Sequence, residues 1–353
     1  MRLPTLVQLL PLLCQPRVPP VHLCAAPRPA GASSLPISPL LPSIVAALDA
    51  AGSNLVLQAP PGAGKTTTVP LALLENDAYR SILVLEPRRI AARSAASRMA
   101  SLLGEKLGER IGYRVRLEGA SGPLTRVLVV TEGILVRRLQ RDPELKGVDV
   151  VVFDEFHERS VDADLCLALC RRAQLRAQAR GAAGPKLLVM SATLGDTTAL
   201  QALLGGCEAI TSEGRCFPVT IKRVAGSPPL AMAANGRTDE IGRAVAAAVA
   251  TALSESAGDV LAFLPGEGEI RAAERALNEM LPAARLAGLA IKPLYGALDP
   301  EAQQEAILPD REGKRRVILA TPIAESSLTI EGVRAVVDSG LRKVRRRERR
   351  TSL

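Results

Sequence analysis

Two apolar runs in this chain each end in a polar segment that a hydrophobic core has no use for. V-L-Q leads into A-P-P-G-A-G-K-T (59–66), and V-D-V-V-V-F leads into D-E-F-H-E-R (154–159). Short apolar runs bounded in this way read as strands buried on both faces, which places both segments at strand ends of an interior parallel sheet. Gly62 and Gly64 let backbone N–H groups approach phosphate oxygens with no Cβ in the way. Lys65 reaches the β- and γ-phosphates, and the Thr66 hydroxyl stands where Mg²⁺ is ligated in such loops. The nucleotide-binding set therefore runs Pro61, Gly62, Ala63, Gly64, Lys65, Thr66 and Thr67, with Asp154 and Glu155 from the second segment. Asp154 holds the Mg²⁺ shell through water, and Glu155 polarises the attacking water. Ala59 stands where such loops usually begin with glycine, which weakens the bare pattern although G-K-T is intact. Neither segment is specific alone; together they predict a nucleotide triphosphatase with ATP and Mg²⁺ as cofactors.

The 353 residues suit about two domains. Apolar residues make up 47% of the chain but aromatics only 2%, so the cores must be built from Leu, Val, Ile and Ala. No apolar run reaches the about 18–20 residues of a membrane span, so no membrane partner is expected. Cys14, Cys24, Cys166, Cys170, Cys207 and Cys216 lack C-x-x-C spacing and read as reduced thiols of a cytoplasmic protein. Of the net charge of +9, six units lie in the last dozen residues. Bulk charge is thus weak evidence for nucleic-acid binding, and that case rests on particular side chains.

Strand candidates at Leu55–Gln58, Ile82–Glu86, Val127–Thr131, Val148–Asp154 and Leu187–Ser191 alternate with helical candidates at 65–75, 90–103, 134–140 and 162–179. A second series has strands at 260–264, 289–294, 317–321 and 335–338, with helices at 238–253, 267–280 and from Pro300. The alternation predicts an α/β chain of parallel sheets covered on both faces. Its expected divisions are an N-terminal extension (1–34) that is disordered or non-native, a first domain (35–220), a second domain (221–340) and a basic tail (341–353).

The strand ends carry a recognisable set: E-P-R-R-I-A-A, T-E-G-I-L, D-E-F-H-E-R and M-S-A-T-L, then F-L-P-G-E-G-E-I, P-L-Y-G-A-L and L-A-T-P-I-A-E-S-S-L-T-I-E-G. With these seven segments, over about Leu35 to Val344, the chain resembles the superfamily 2 helicases of the DEAH-box group, and most of all the bacterial HrpB-type ATP-dependent helicases. The resemblance implies two RecA-like P-loop domains with parallel sheets, the second incomplete, and ATP-driven movement on, or unwinding of, single-stranded RNA or another nucleic acid. It implies catalytic roles for Glu155, Lys65, Asp154 and His157. It puts Arg88, Arg89, Thr131, Glu132, Gly133 and Thr321 on the nucleic-acid path. It gives Ser191, Ala192, Thr193, Glu325, Ser326 and Ser327 the coupling of nucleotide state to domain movement. Pro322 and Ser326 stand where the family has Asn and Thr.

The resemblance stops after Val344. The family's Q-R-x-G-R-x-G-R segment, whose arginines act on the γ-phosphate, and its helical C-terminal domains have no counterpart here. The expectation is a truncated reading of a longer helicase, with its last strand left as an exposed edge. The alternative function is a nucleotide- and RNA-binding fragment that does not hydrolyse.

Overall fold

The computed structural model describes residues 20–24, 35–50, 54–193, 197–213, 218–223, 238–325, 328 and 330–343. These fall into two compact units, the first spanning residues 35–213 and the second joining 20–24 to 218–325 and 330–343. Strand β1 (Pro20–Cys24) thus precedes the first unit in the chain but belongs to the second.

The first unit runs α1 (Leu41–Asp49), β2 (Leu55–Gln58), α2 (Lys65–Glu75), β3 (Ile82–Glu86), α3 (Arg89–Leu102), β4 (Ile111–Val115), β5 (Glu118–Ala120), β6 (Val127–Thr131), α4 (Glu132–Arg141), β7 (Val150–Phe153), α5 (Val161–Gln178), β8 (Lys186–Ser191), α6 (Thr198–Leu203) and β9 (Glu208–Thr211). Its eight strands lie in the order β5-β4-β6-β3-β7-β8-β2-β9. All neighbours are parallel except β5, which folds back on β4 as a hairpin. The central strands are apolar throughout because alternate residues feed two cores. Leu55, Leu57, Val84, Val152 and Met190 face α1, α2 and α3 on one side. Val56, Leu85, Val151, Phe153 and Val189 face α4 and α5 on the other. Cys166 and Cys170, one helical turn apart on α5, are buried in that second core as free thiols, and Cys207 is free as well. Burial pushes the Cys166 thiol up to about 12, so it has the character of a packed apolar side chain.

The second unit runs β10 (Val219–Arg223), α7 (Thr238–Glu255), β11 (Asp259–Phe263), α8 (Glu267–Met280), α9 (Ala283–Leu286), β12 (Leu289–Leu294), α10 (Pro300–Ile307), β13 (Arg315–Ala320) and β14 (Val333–Asp338). The strand order is β10-β1-β14-β11-β13-β12. The four strands from β14 to β12 are parallel, and β1 runs antiparallel to both β10 and β14. Val245, Val249, Ile270 and Leu277 of α7 and α8 cover Val260, Ala262, Val317 and Leu319 of the sheet.

The α/β fold with parallel sheet cores is the one expected; to these cores β5 adds a short antiparallel hairpin partner and β1 an antiparallel strand from a sequence-distant segment. One expectation needs correction. The last strand is not an open edge: β1 pairs with it through Val21–Val337, His22–Val336 and Leu23–Ala335, which occupies its ladder groups. Short elements also escaped the sequence reading, among them α1, the β4–β5 hairpin and β9.

One buried ion pair ties the amino ends of the second sheet together. The Arg316 side chain is 2% exposed and meets Asp259 through Nε at 2.8 Å and a terminal nitrogen at 2.6 Å. Its other donors reach the carbonyls of Ile307 at 2.9 Å, Leu308 and Glu331. The backbone N–H of Arg316 also donates to Asp259, at 2.7 Å. One guanidinium thus joins β11 to the end of α10 and the turn before β14. Gly332 in that turn has φ +93°, and a Cβ there would come within 2.7 Å of Asp259 Oδ2. Removing one member of such a pair strands the other. Arg316→Met should therefore cost about 3–5 kcal/mol in urea unfolding, and a loss below about 1 kcal/mol would contradict this account of the clamp.

Candidate nucleotide site

The glycine-rich loop joins β2 to α2. Its start is pinned to the sheet by the Ala59 N–H, which donates to the Ser191 carbonyl of β8 at 2.9 Å. Ala59 is fully buried in the core above β2, so its methyl is useful there and glycine is not required. The later glycines are a different matter. Gly62 and Gly64 have φ of +76° and +93°, and a Cβ at Gly64 would meet Leu35 at 2.6 Å. The Ile37 N–H donates to the Ala63 carbonyl at 3.2 Å, which holds residues 35–37 beneath the loop. Pro61 and Gly62 are exposed, Thr66 and Thr67 are half-buried, and α2 begins at Lys65 with its first-turn N–H groups towards the loop.

The second segment closes over the first. Lys65 Nζ lies 2.7 Å from Glu155 Oε1, and the two side chains are 5% and 9% exposed. Burial alone would lower the Lys65 ammonium, but Asp154 and Glu155, with Glu86 behind them, outweigh it and hold the pKa above its usual value. Asp154 follows β7, and its backbone N–H donates to Leu85 at 3.0 Å. Its Oδ1 accepts from the Glu155 N–H at 2.7 Å, while Oδ2 is buried without a partner. Glu155 has φ +50°, a left-handed backbone that costs a non-glycine residue about 1–3 kcal/mol. The next residue holds this turn in place: Phe156 is buried edge-on to Phe153, with ring centroids 6.2 Å apart, and Arg159 lies 5.3 Å above the Phe156 ring.

His157 joins this pair to the end of β8. Its Nδ1 accepts the Ala192 N–H at 3.3 Å, and its Nε2 stands 3.3 Å from Glu155 Oε2. A donor at Nδ1 leaves Nε2 to carry the ring proton, facing the carboxylate. Ser191 is wholly buried with an unpartnered Oγ, and Thr193 is exposed beyond it. Lys65, Glu155, His157 and Ala192 thus form one polar chain across the ends of β2, β7 and β8.

The donor set fits a magnesium ion. Asp154 Oδ2 is an orphaned hard oxygen, and Thr66 opens the adjoining helix. Among the described residues no three His, Cys, Asp or Glu side chains form a cage for a metal. That suits an ion held largely by phosphate and water with one or two protein oxygens. One residue went unnoticed in the sequence: Glu86, the last residue of β3, is fully buried beside Asp154. A carboxylate ending the apolar run I-L-V-L-E was the available signal.

At neighbouring strand ends stand the candidate nucleic-acid residues of this unit. Glu86 of β3 is paired with Thr131 of β6, so Arg88 and Arg89 start α3 beside Thr131, Glu132 and Gly133 at the start of α4. Arg88 is 3.3 Å from Glu158, and the more exposed Arg89 is 3.6 Å from Glu118 on the β4–β5 hairpin. Burial raises the Glu132 carboxyl above its usual range, against a hydrogen bond from Ser160. In the second unit Thr321 follows β13, and its N–H donates to Leu294 at 3.0 Å. Pro322 opens a short 3₁₀ turn, a position where its missing N–H is not needed, and Glu325 is exposed just after it. Ser326 and Ser327 lie outside the described residues. Lys343, counted in the basic tail, instead meets the buried Glu269 of α8 at 2.9 Å.

Comparison with known proteins agrees with this arrangement. Residues 42–201 match the DEAD/DEAH box helicase domain and residues 244–349 the helicase conserved C-terminal domain. The chain is 48% identical over 324 residues to the ATP-dependent RNA helicase HrpB of Escherichia coli, covering 91% of this chain and 38% of that protein. It is 33% identical over 299 residues to the ATP-dependent RNA helicase HrpA of Borreliella burgdorferi, covering 84% of this chain and 34% of that one. A crystal structure of the Escherichia coli DEAH/RHA helicase HrpB superposes with a TM-score of 0.75 at 45% identity, over 91% of this chain and 39% of the other. The chain therefore spans less than half the length of these relatives. Among its described residues, no helix is long and apolar enough to cross a membrane. With both helicase domain models matched in order over most of its length, the chain belongs to the DEAD/DEAH box helicases.

Proposed function

We propose that this chain carries the ATP-hydrolysing, RNA-binding motor of a cytoplasmic RNA helicase. The observation that carries the reading is the polar chain from Lys65 through Glu155 and His157 to Ala192. It links the phosphate loop to the end of β8 through the residue suited to activate water. The loop from Pro61 to Thr67 wraps the triphosphate, and Lys65 leaves Glu155 for the β- and γ-phosphates. Glu155, relieved of its ammonium, accepts a proton from the attacking water. Thr66 and Asp154 would hold Mg²⁺ through its water shell, and the ion bound there would supply positive charge to the phosphates. His157 senses the state of Glu155 and passes it to Ser191, Ala192 and Thr193 through the Ala192 N–H. Glu325, Ser326 and Ser327 serve the same coupling in the second unit.

The RNA path combines cations with backbone and hydroxyl donors. Arg88 and Arg89 exchange their carboxylate partners for phosphates, and Thr131, Glu132, Gly133 and Thr321 add short polar contacts that suit a sugar-phosphate backbone of any sequence. Few aromatics are available for stacking bases, which favours backbone tracking. The other reading, a module that binds ATP and RNA without turnover, is separated from the first by RNA-stimulated ATP hydrolysis.

Three variants dissect the motor. Lys65→Ala should weaken ATP binding itself, measured by calorimetry. Glu155→Gln should leave binding near the parent value while hydrolysis falls by about 10²–10⁴. If both variants bind and hydrolyse like the parent, the site is misplaced. His157→Ala should keep ATP affinity but lose stimulation by RNA, and stimulation of parental size would remove His157 from the relay.

The RNA path has its own measurement. Arg88→Ala with Arg89→Ala should weaken single-stranded RNA binding about equally for all sequences. The salt slope should shallow by about 1.4, the value for two phosphate contacts on a single strand. Loss confined to one sequence would point to base readout.

A further inference from the structure

Helix α3 opens on two arginines, Arg88 and Arg89, and its first turn holds no acidic side chain. Positive charge at a helix N-terminus opposes the helix dipole. The counter-charge for Arg89 comes from elsewhere in the chain, from Glu118 on the β4–β5 hairpin.

Glu118 is held in one place. Its Oε1 accepts the Tyr113 hydroxyl at 2.6 Å and an Arg93 nitrogen at 3.1 Å. Tyr113 is buried and the Arg93 side chain is 13% exposed, so both anchors sit within the protein. Burial, and then the bond to Glu118, push the Tyr113 hydroxyl up to about 12, which keeps it a donor. Burial alone would raise the Glu118 carboxyl, but the bonds from Tyr113 and Arg93 and the charges of Arg93 and Arg89 hold it below its usual value. The other oxygen, Oε2, faces Arg89 at 3.6 Å.

The two arginine contacts have different uses. Arg93 fastens the hairpin to α3 with a hydrogen bond. Arg89 stands beyond hydrogen-bond distance and is 58% exposed, so its pairing adds little to the fold. Its position gives it another use. β4 runs parallel to β6 with Arg114 opposite Val130, so the hairpin turn leaves the sheet at the same end as Thr131. A fixed carboxylate thus lies at the edge of the candidate nucleic-acid path, facing the arginine that a backbone phosphate would face.

We propose that Glu118 is a positioning residue for RNA, acting through Arg89: it stands in for a phosphate while the path is empty, the incoming backbone must displace it, and it thereby limits how tightly the chain grips RNA. The proposal rests on the RNA-path reading above. A motor that moves along a strand has to release each phosphate it holds, and a competitor built into the protein serves that release whatever the base sequence. Removing the carboxylate should therefore strengthen RNA binding, the opposite of what damage to a binding surface does.

The test measures binding of a fluorescent oligouridylate to the full chain at constant ionic strength. Glu118→Gln keeps an oxygen for Tyr113 and Arg93 and removes the charge facing Arg89. It should bind about threefold tighter than the parent, the scale of an exposed ion pair. Arg89→Ala should bind more weakly, and adding Glu118→Gln to it should then change affinity little, because the competitor has lost its object. Glu118→Asp keeps the net charge but draws the carboxylate back by one methylene. It should show part of the gain, and it carries the test if the glutamine variant is unfolded by circular dichroism. A folded Glu118→Gln that binds no tighter than the parent, or a gain that persists in full without Arg89, overturns the role of Glu118 alone. A parent chain that binds no RNA, or an Arg89→Ala that binds as the parent does, overturns the RNA-path reading and the role of Glu118 with it.

Discussion

The buried contact between Lys65 and Glu155 is the interaction on which the first unit's site depends. It joins two segments 90 residues apart in the chain, one at the end of β2 and one at the end of β7. Neither charge is stable there without the other, since burying an isolated ion costs several kcal/mol. The pair also explains how a site without nucleotide avoids an unbalanced lysine. On the proposed function, a phosphate arriving at the loop would compete for the same ammonium, so its binding and the release of Glu155 would be one exchange rather than two events.

Around this pair the backbone is held in conformations that a chain would not choose locally. Glu155 and Arg159 both have positive φ without being glycine. Phe156 lies between them, buried against Phe153, and its packing offsets the strain. The scarcity of aromatic residues elsewhere makes the placement of two phenylalanines here informative: they anchor the turn that aims Glu155 and His157.

The second unit spends its buried charge differently. Asp259 and Arg316 sit at the amino ends of β11 and β13, and Thr321 follows the carboxyl end of β13. A clamp at one end of the sheet leaves the other end free to carry contacts whose residues answer to function rather than to stability. The antiparallel β1, paired with β14, extends this sheet beyond its parallel core.

The loop 59–66, the D-E-F-H-E-R segment and the alternation of apolar runs with helical ones were legible because each is local. Glycines with positive φ, a lysine opening a helix and strands buried on both faces leave their mark within a few residues. The family resemblance was legible for the same reason, as motifs at strand ends. Short elements such as β9 and the β4–β5 hairpin were not, because their register is fixed by neighbours distant in sequence. β1 is the extreme case: its partners lie about 200 and 300 residues away. The same holds within the site. The sequence by itself determined which residue types could meet a phosphate, a metal and a water. Only the tertiary structure decided that Glu86 lies against Asp154 and that His157 bridges Glu155 to Ala192. Those contacts are set by strand order across the sheet, and strand order is a property of the packed whole that no single segment encodes.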